Sequence, residues 1–583
     1  MTSFKQIIIL TFIVLFINTI YGQELSGITK NEPFTLNGGV SATSVFFHSP
    51  DSLNVREPFT YVLNGNLNFV FFGIINCPFN FTYSNYSENF SHPFNFNQFG
   101  IQPSYKWIKT YLGYNSMSFS SYTLSGHQFL GAGIELTPPD KPIKVSVMYG
   151  RLLKPVEEDT LNLKATPSFA RYGYGFKIGY LFADGEVSLI LFNAYDDVSS
   201  LNKLPVKTII KPQENLAISL NATKKIFERL MFTVEYASTA ITDDRRIMEK
   251  REGKNIFKLT DFLMTNSIAT SYYNAFNTSI KYSGKSYSVG STYERIDPGY
   301  TTLGAYYFTN DFENITLDAS KSLMKNKINL SGRIGLQRND LDDMKLSKTK
   351  KVVGNINLSY AINKKININS TYSNFTGYTF IRNDFDYINE QNPYKNLDTL
   401  NYTQINQNIA VNVNYILGDI KSKEKQQSLN FNFNMQHATS EQGNNTLPGA
   451  DFYNGNIAYS LGLLKKKITV FSSINSNYTK APNSFDTFTL GPTAGINKSL
   501  FDKTLRVSTS MSYNSSFNNA KANVNSVLVF RTSCNYILQK KHNFNLSFIV
   551  QNRNINPKKN ITDLTVTIGY RYNFKTSYNE IFK

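Results

Sequence analysis

The sequence predicts an all-β protein: one large antiparallel sheet of about 26 strands, within a range of about 24–26, closed into a single-chain transmembrane barrel. Three observations predict this fold. Polar and apolar residues alternate over many segments, tight turns alternate with longer loops, and the chain begins with an export signal. The short turns would lie on the periplasmic side of an outer membrane and the longer loops on the extracellular side.

The alternation is clearest in two segments. In 429–435, Leu, Phe and Met occupy every second position and Asn fills the positions between them. In 562–574, apolar and aromatic residues share one parity from Leu564 to Phe574. Residues two apart lie on one face of a strand, whereas a helix would scatter them around its axis. The apolar parity is therefore predicted to face lipid and the Asn-rich parity to face the lumen.

The connections between strands fall into two classes. Tight and mostly lysine-rich turns occur near 182–185, 227–229, 324–327, 363–365, 465–467, 501–503 and 539–541. More variable and often longer polar loops lie between them, at 241–271, 297–310, 339–350, 378–402, 438–450 and 554–561. This asymmetry is typical of outer-membrane barrels, and an even strand number places both chain ends in the periplasm.

The domain boundaries follow from these features. Residues 1–22 form a signal peptide, because Lys5 precedes an apolar run, Ile7 to Ile17, that is too short for a comfortable membrane span. An uncleaved anchor is the alternative. Residues 23–35 form a periplasmic lead, 36–574 form the barrel, and 575–583 form a periplasmic tail. The mature protein is thus expected in the outer membrane.

The composition suits a barrel better than a chain of soluble domains. Aromatic residues make up 14% of the chain and charged residues only 17%, whereas a soluble protein usually carries about 25% charge. Neutral side chains therefore make the polar faces polar. A tandem of soluble sandwiches, the alternative, would show composition breaks about every 100 residues, and the sequence has none.

The predicted lumen is wide, about 50 Å across for 26 tilted strands. Its inward parity carries four charged residues singled out here: Lys281, Glu294, Arg333 and Arg571. The chain has 60 basic and 42 acidic residues, a net charge of +18. Much of that excess falls in the tight turns, where lysine meets solvent; a lumen with a weak preference for anions is the alternative interpretation.

Catalytic chemistry is not predicted. The five histidines are scattered without metal-ligand spacing, and no phosphate-binding loop occurs. Ser125 and His127 could share a strand face, but an orienting group and an oxyanion site are not evident. We expect no enzyme activity, no cofactor and no metal. Cys77 and Cys534 are interpreted as two separate buried thiols, with one bridge across the barrel seam as the alternative.

Three short patterns resemble known signals. The terminal residues Gly569, Tyr570, Tyr572 and Phe574 resemble the signal by which the barrel-assembly machinery recognises its clients, which implies that machinery as a partner during biogenesis. The Gln23 after the cleavage site, the Asn/Lys/Tyr/Phe-rich composition and the turn style resemble outer-membrane proteins of the Bacteroidota. Three Asp-Ser/Thr-Leu tripeptides resemble the O-glycosylation motif of that group, which would modify Ser52, Thr160 and Thr399. Residues 121–133 look like a family signature without an assigned activity.

Two functions are compatible with these features. The first is a structural subunit of a multi-protein envelope complex for protein secretion, barrel assembly or surface-lipoprotein display, its lumen filled by loops such as 241–271 and 378–402 or by partners. The alternative is a porin-like channel for passive or gated solute passage. Expected partners are outer-membrane lipid and other outer-membrane proteins or surface lipoproteins, not nucleic acid. Loop 241–271 is interpreted as a solvated outer loop, or else as a lid, plug or docking surface.

Overall fold

A computed structural model describes residues 32–50, 57–85, 97–158, 167–203, 205, 210–264, 266–306, 308–344, 350–374, 377–379, 403–442, 445–480, 486–519, 523–555 and 559–577. The regular secondary structure of these residues is almost entirely strand. Three short 3₁₀ turns interrupt the connections, at Val198–Ser200, Asn255–Lys258 and Phe501–Lys503. Within the described ranges, no helix has the length and hydropathy needed to cross a membrane.

The first half of the sheet runs from the N-terminus to the middle of the chain. Its strands are β1 (Phe34–His48), β2 (Phe59–Phe71), β3 (Ile75–Ser84), β4 (Gln98–Ile101), β5 (Ser104–Tyr105), β6 (Ile108–Ser118), β7 (Ser125–Leu136), β8 (Ile143–Leu153), β9 (Ala170–Phe182), β10 (Gly185–Asp197), β11 (Glu214–Ile226), β12 (Leu230–Thr242), β13 (Thr270–Ser283) and β14 (Tyr287–Ile296).

The second half continues in the same up-and-down order. Its strands are β15 (Phe312–Leu323), β16 (Ile328–Arg338), β17 (Lys350–Ala361), β18 (Ile366–Ser373), β19 (Gly377–Thr379), β20 (Thr403–Leu417), β21 (Lys425–Gln442), β22 (Asn445–Leu463), β23 (Ile468–Lys480), β24 (Thr487–Leu500), β25 (Leu505–Asn518), β26 (Asn523–Leu538), β27 (His542–Ile555) and β28 (Lys559–Ser577).

The sheet closes on itself. β1 pairs antiparallel with β28, with Ser41 opposite Arg571, as well as with its sequence neighbour β2. Segments β4 and β5 both pair with β3 and β6, and β18 and β19 both pair with β20. Each of these two pairs is one interrupted strand, so the fold is a closed antiparallel barrel of 26 strands. The predicted fold class is confirmed.

Some predicted boundaries differ from the structure, most clearly at two places. Segment 438–450 is predicted as a loop, yet β21 and β22 continue through it as a hairpin in which Gln442 lies opposite Asn445. Polar residues fill this hairpin, so the alternation ends before the backbone pairing does. At the C-terminus, β28 continues to Ser577 and pairs with β1 three residues past the predicted barrel end at 574. Residues 1–31 and 578–583, which hold the predicted signal peptide and most of the tail, lie outside the described residues.

The cysteines do not form the bridge that was left as an alternative. Cys77 on β3 and Cys534 on β26 are both free thiols, and their strands are not neighbours in the sheet. Cys77 is buried, but Cys534 is only partly buried.

Candidate functional site: the inner wall and its latch

The two faces of the sheet can be told apart by their exposed apolar side chains. On β21, β22 and β23, Phe431, Ile457 and Ile474 are exposed on one parity. The opposite parity carries asparagine. Because a barrel in lipid must direct its apolar row outward, the asparagine parity forms the inner wall.

Five inner-wall asparagines lie in register on five neighbouring strands. Asn369, Asn412, Asn432, Asn456 and Asn475 are direct cross-strand partners from β18 to β23. Four of them form a chain of side-chain hydrogen bonds, in which each amide donates to the next carbonyl, including 3.3 Å from Asn432 Nδ2 to Asn456 Oδ1. We call these five residues the amide ladder. It gives this sector of the lumen a neutral surface rich in donors and acceptors.

The four charged residues singled out in the sequence all lie on this wall, but they do not form one cluster. Lys281 borders a cleft of about 680 Å³ near the periplasmic turns, and Arg571 borders another of about 390 Å³. Lys281 and Arg333 belong to one cross-strand row, which also contains Asp318 next to Arg333. Glu294 lies apart from these and accepts a hydrogen bond from the Tyr122 hydroxyl at 2.6 Å.

Apart from Glu294, the inward carboxylates were missed in the sequence. Besides Asp318, the inner wall holds Lys144–Glu186, Arg171–Asp196 and Arg553–Asp563 ion pairs, with N–O distances of 2.8, 2.7 and 2.6 Å. Several inward bases are therefore matched by acids on the same face. This mixture of signs does not favour an anion-selective lumen.

Two extracellular connections turn into the lumen and meet there. They are residues 119–124, between β6 and β7, and residues 297–306, between β14 and β15; we call them together the inner latch. The Tyr300 hydroxyl donates to the Tyr122 carbonyl at 2.7 Å, and the Thr302 hydroxyl donates to the Thr123 carbonyl at 2.7 Å. The Ser125 amide donates to the Gly304 carbonyl at 2.9 Å. These bonds join the two segments into one unit.

The latch is also bonded to the strands beneath it. The Asn215 side chain accepts from the Leu303 amide at 3.1 Å and donates to the Thr239 hydroxyl at 2.6 Å. Thr239 in turn donates to the Thr301 carbonyl at 3.0 Å. Segment 297–306 therefore reaches from its own strands across β11 and β12 to the start of β7.

An apolar cluster anchors the latch, although the alternation predicts a polar inner wall. Phe119, Leu124 and Leu303 from the latch pack with inward side chains of β6, β7, β8 and β10. Those wall residues are Tyr111, Met117, Phe129, Met148, Leu152, Ile190, Phe192 and Ala194. Because this part of the inner wall is covered by protein and not by water, it can be apolar.

Burial keeps the two latch tyrosines in their hydrogen-bonding form. Desolvation raises the pKa of Tyr122 far above its ordinary value, and the nearby Glu294 carboxylate raises it further. Desolvation also raises the pKa of Tyr300. Both phenols therefore stay protonated at physiological pH, and both continue to donate the hydrogen bonds that hold the latch.

Buried inward side chains concentrate in the extracellular half of the strands. Examples outside the latch sector are Val62 on β2, Val353 on β17, Asn477 on β23, Asn514 on β25 and Ile549 on β27. Toward the periplasmic turns, Lys281, Arg333 and Arg571 on the same inward parity are exposed. Buried inward side chains are thus more frequent near the extracellular end of the barrel than near the periplasmic end.

The described part of loop 241–271 does not enter the lumen, which corrects one of the roles considered for this loop. Phe257 and Met264 from this loop are buried against Leu216, Ile218 and Ala240. The wall residues belong to the parity opposite to Asn215 and Thr239, which bind the latch, so the loop covers the outer wall. We call its described residues, 243–264 and 266–269, the outer flap. The inward role considered as an alternative for this loop belongs to the inner latch.

Other residues noted in the sequence have simpler surroundings. His127 is buried, its ring stacks on Tyr306 with a centroid distance of 4.1 Å, and its Nδ1 lies 2.7 Å from the Gln128 carbonyl. The signature 121–133 thus supplies half of the latch and the strand next to it. Within the described ranges, no three His, Cys, Asp or Glu residues are grouped for metal binding. Ser52, Thr160, Thr399 and loop 380–402 lie outside the described residues.

The C-terminal aromatic residues line the outer wall near the periplasmic end of β28. Tyr572 stacks on His542 with a centroid distance of 4.8 Å and lies 5.2 Å from Phe574. The Tyr570 hydroxyl lies 2.8 Å from His542 Nδ1. Gly569 lies one residue earlier in the same strand, opposite Thr43 of β1. Recognition of these residues by the assembly machinery stays a prediction.

Comparison with known proteins gives structural neighbours but no family. No protein-family model matches the chain, and no curated protein matches its sequence. The FrpB iron transporter from Neisseria meningitidis is 10% identical, with 92% of this chain and 82% of that chain covered and a TM-score of 0.38. The ferric citrate transporter FecA is 8% identical, with 92% and 79% covered and a TM-score of 0.38. The copper transporter OprC is 9% identical, with 92% and 80% covered and a TM-score of 0.36. The architecture of the chain itself is a closed antiparallel barrel of 26 strands.

Proposed function

We propose that the protein is a gated outer-membrane channel for neutral hydrophilic solutes. The observation that carries this proposal is the amide ladder, five in-register asparagines on the inner wall. Such a surface offers hydrogen bonds to hydroxyl-rich solutes without the desolvation cost of a charged wall. The inner latch supplies the gate, because it covers the extracellular half of the lumen on one side.

Reconstituted vesicles test this proposal. Vesicles that contain the Tyr300→Ala variant, which releases the latch, should swell when neutral sugars are added, and faster than vesicles with the wild-type protein. Sugars with a carboxylate or an ammonium group and a similar size should enter more slowly. A latch-released protein that inserts correctly but admits none of these solutes contradicts the channel proposal.

A second candidate is the subunit of a multi-protein envelope complex that the sequence favours. The width of the barrel supports it, since about 50 Å leaves room for a partner polypeptide beside the latch. Purification from native membranes followed by mass spectrometry separates the two functions. Stoichiometric co-purifying outer-membrane proteins or lipoproteins, together with an absence of conductance, would favour the complex.

A further inference from the structure

The outer flap covers part of the outer wall, which faces lipid over most of the barrel. Besides the packing of Phe257 and Met264, the Tyr174 hydroxyl on β9 donates to the Leu263 carbonyl at 3.3 Å. On the same outer rows but closer to the periplasm, Leu220 and Tyr236 are exposed. The flap thus lies on the outside of the barrel, above these lipid-facing residues.

The strands beneath the flap are covered on both faces. Glu214–Ser219 of β11 and Ala237–Thr242 of β12 are each six consecutive buried residues. The inner latch covers one parity and the outer flap covers the other. The molecules that surround the barrel at this height must therefore contact the flap, because the flap covers the outer face of these ends of β11 and β12.

The flap exposes several large apolar side chains. Met248 and Leu259 are 81% and 78% exposed, and Ile256, Phe262 and Ile268 are also exposed. A soluble loop seldom presents so many large apolar side chains together. An amphipathic segment at a membrane interface buries such a face in the boundary between headgroups and acyl chains.

Exposed basic side chains and the height of the flap on the barrel agree with an interfacial position. Lys250, Arg251 and Lys254 are exposed, and none of them forms an ion pair with any described residue. On the outer wall just below the flap, the Tyr236 and Ser238 hydroxyls donate to Asn274 at 2.9 and 2.8 Å. Polar outward groups with an amphipathic tyrosine are typical of the headgroup level of a barrel.

We propose that the outer flap is an interfacial element seated in the headgroup layer of the outer leaflet. Leu259 and Phe262 enter the apolar boundary of the lipid, and Lys250, Arg251 and Lys254 meet anionic headgroup oxygens. The flap would fix the height and rotation of the barrel beside one patch of lipid. This proposal does not depend on what passes through the lumen.

Lipid quenching of a single tryptophan tests the flap. The chain contains one tryptophan, Trp107, so a Trp107→Phe background is free of other indole emission. In that background, Leu259→Trp probes the flap and Met344→Trp, on the extracellular connection after β16, is the control. The two positions are matched in exposure, at 78% and 81%. Both variants are reconstituted into phosphatidylcholine–phosphatidylglycerol vesicles that carry brominated acyl chains.

We expect bromine to quench the tryptophan at 259 several-fold more than the tryptophan at 344. Both variants should retain the β-sheet circular dichroism of the parent, which excludes misfolding as a cause. A flap that serves only a protein partner would leave residue 259 in water in these vesicles. Equal and weak quenching at both positions would overturn the proposal.

Discussion

Replacement of Tyr300 with alanine should raise the conductance of the reconstituted protein strongly. Tyr300 is fully buried, and its hydroxyl holds the two halves of the inner latch together. Loss of a buried aromatic side chain costs about 3–5 kcal/mol. Since each 1.4 kcal/mol changes a population ratio about tenfold, the released latch should be populated about 100-fold more often or higher. Planar-bilayer recording measures this as more frequent and larger openings.

The matched control is Tyr149→Ala on β8. Tyr149 is an exposed tyrosine, and its replacement should leave the conductance at the wild-type level. Gly304→Val provides an independent release of the latch, because a Cβ at Gly304 would lie 2.6 Å from the Thr123 carbonyl oxygen and 2.7 Å from the Phe192 ring. If Tyr300→Ala and Gly304→Val both insert normally and conduct like the control, the latch is not the gate.

Opposite charges placed on the amide ladder should shift ion selectivity in opposite directions. Asn432 is the middle residue of the ladder. In the Tyr300→Ala background, Asn432→Asp should favour cations and Asn432→Lys should favour anions. At 0.01 M salt the Debye length is about 30 Å, which exceeds the calculated lumen radius of about 25 Å, so one charge acts across the whole lumen.

The reversal potential in asymmetric KCl measures this shift. At 1 M salt the Debye length falls to about 3 Å, and the two variants should converge. The same substitutions at Asn326, in the periplasmic turn between β15 and β16, are the control and should shift the potential less. Identical reversal potentials for Asn432→Asp and Asn432→Lys at low salt would show that the amide ladder does not line the conduction path.

The sequence predicts the barrel well because its main physical constraint is local. Each strand must show one face to lipid, so the alternation in segments such as 429–435 marks both the strand and the direction of its side chains. The tight turns have equally local signals. Phe227, Glu228, Asp502 and Lys503, for example, adopt left-handed backbone conformations in turns that the sequence identifies.

The inner latch could not be predicted in the same way, because it depends on contacts between residues far apart in the chain. The hydrogen bond that joins the two latch segments links Tyr122 and Tyr300, which are 178 residues apart in the chain. One local signal does exist. Segment 187–192 contains Val, Leu, Ile, Leu and Phe with one serine, and such a run indicates a strand covered on both faces. Ile190 and Phe192 are indeed buried on the inner side.

The position of the outer flap could not be predicted from the sequence for a different reason. The Phe262-Leu263-Met264 patch marks loop 241–271 as apolar, but composition alone does not distinguish the inner wall from the outer wall. That choice depends on which parity of β11 and β12 the loop contacts. Leu216 and Ile218 offer an apolar outer row to it, whereas Asn215 is already engaged by the latch.

The central claim is that alternate residues of each strand face lipid and water, and thiol labelling tests it most directly. With Cys77 and Cys534 replaced by serine, single cysteines are placed at Phe431, Asn432 and Phe433 of β21. In vesicles, a water-soluble maleimide should label the cysteine at 432 and leave those at 431 and 433 unmodified. Equal labelling at all three positions, or labelling only at 431 and 433, would contradict the barrel orientation on which the ladder, the latch and the flap all rest.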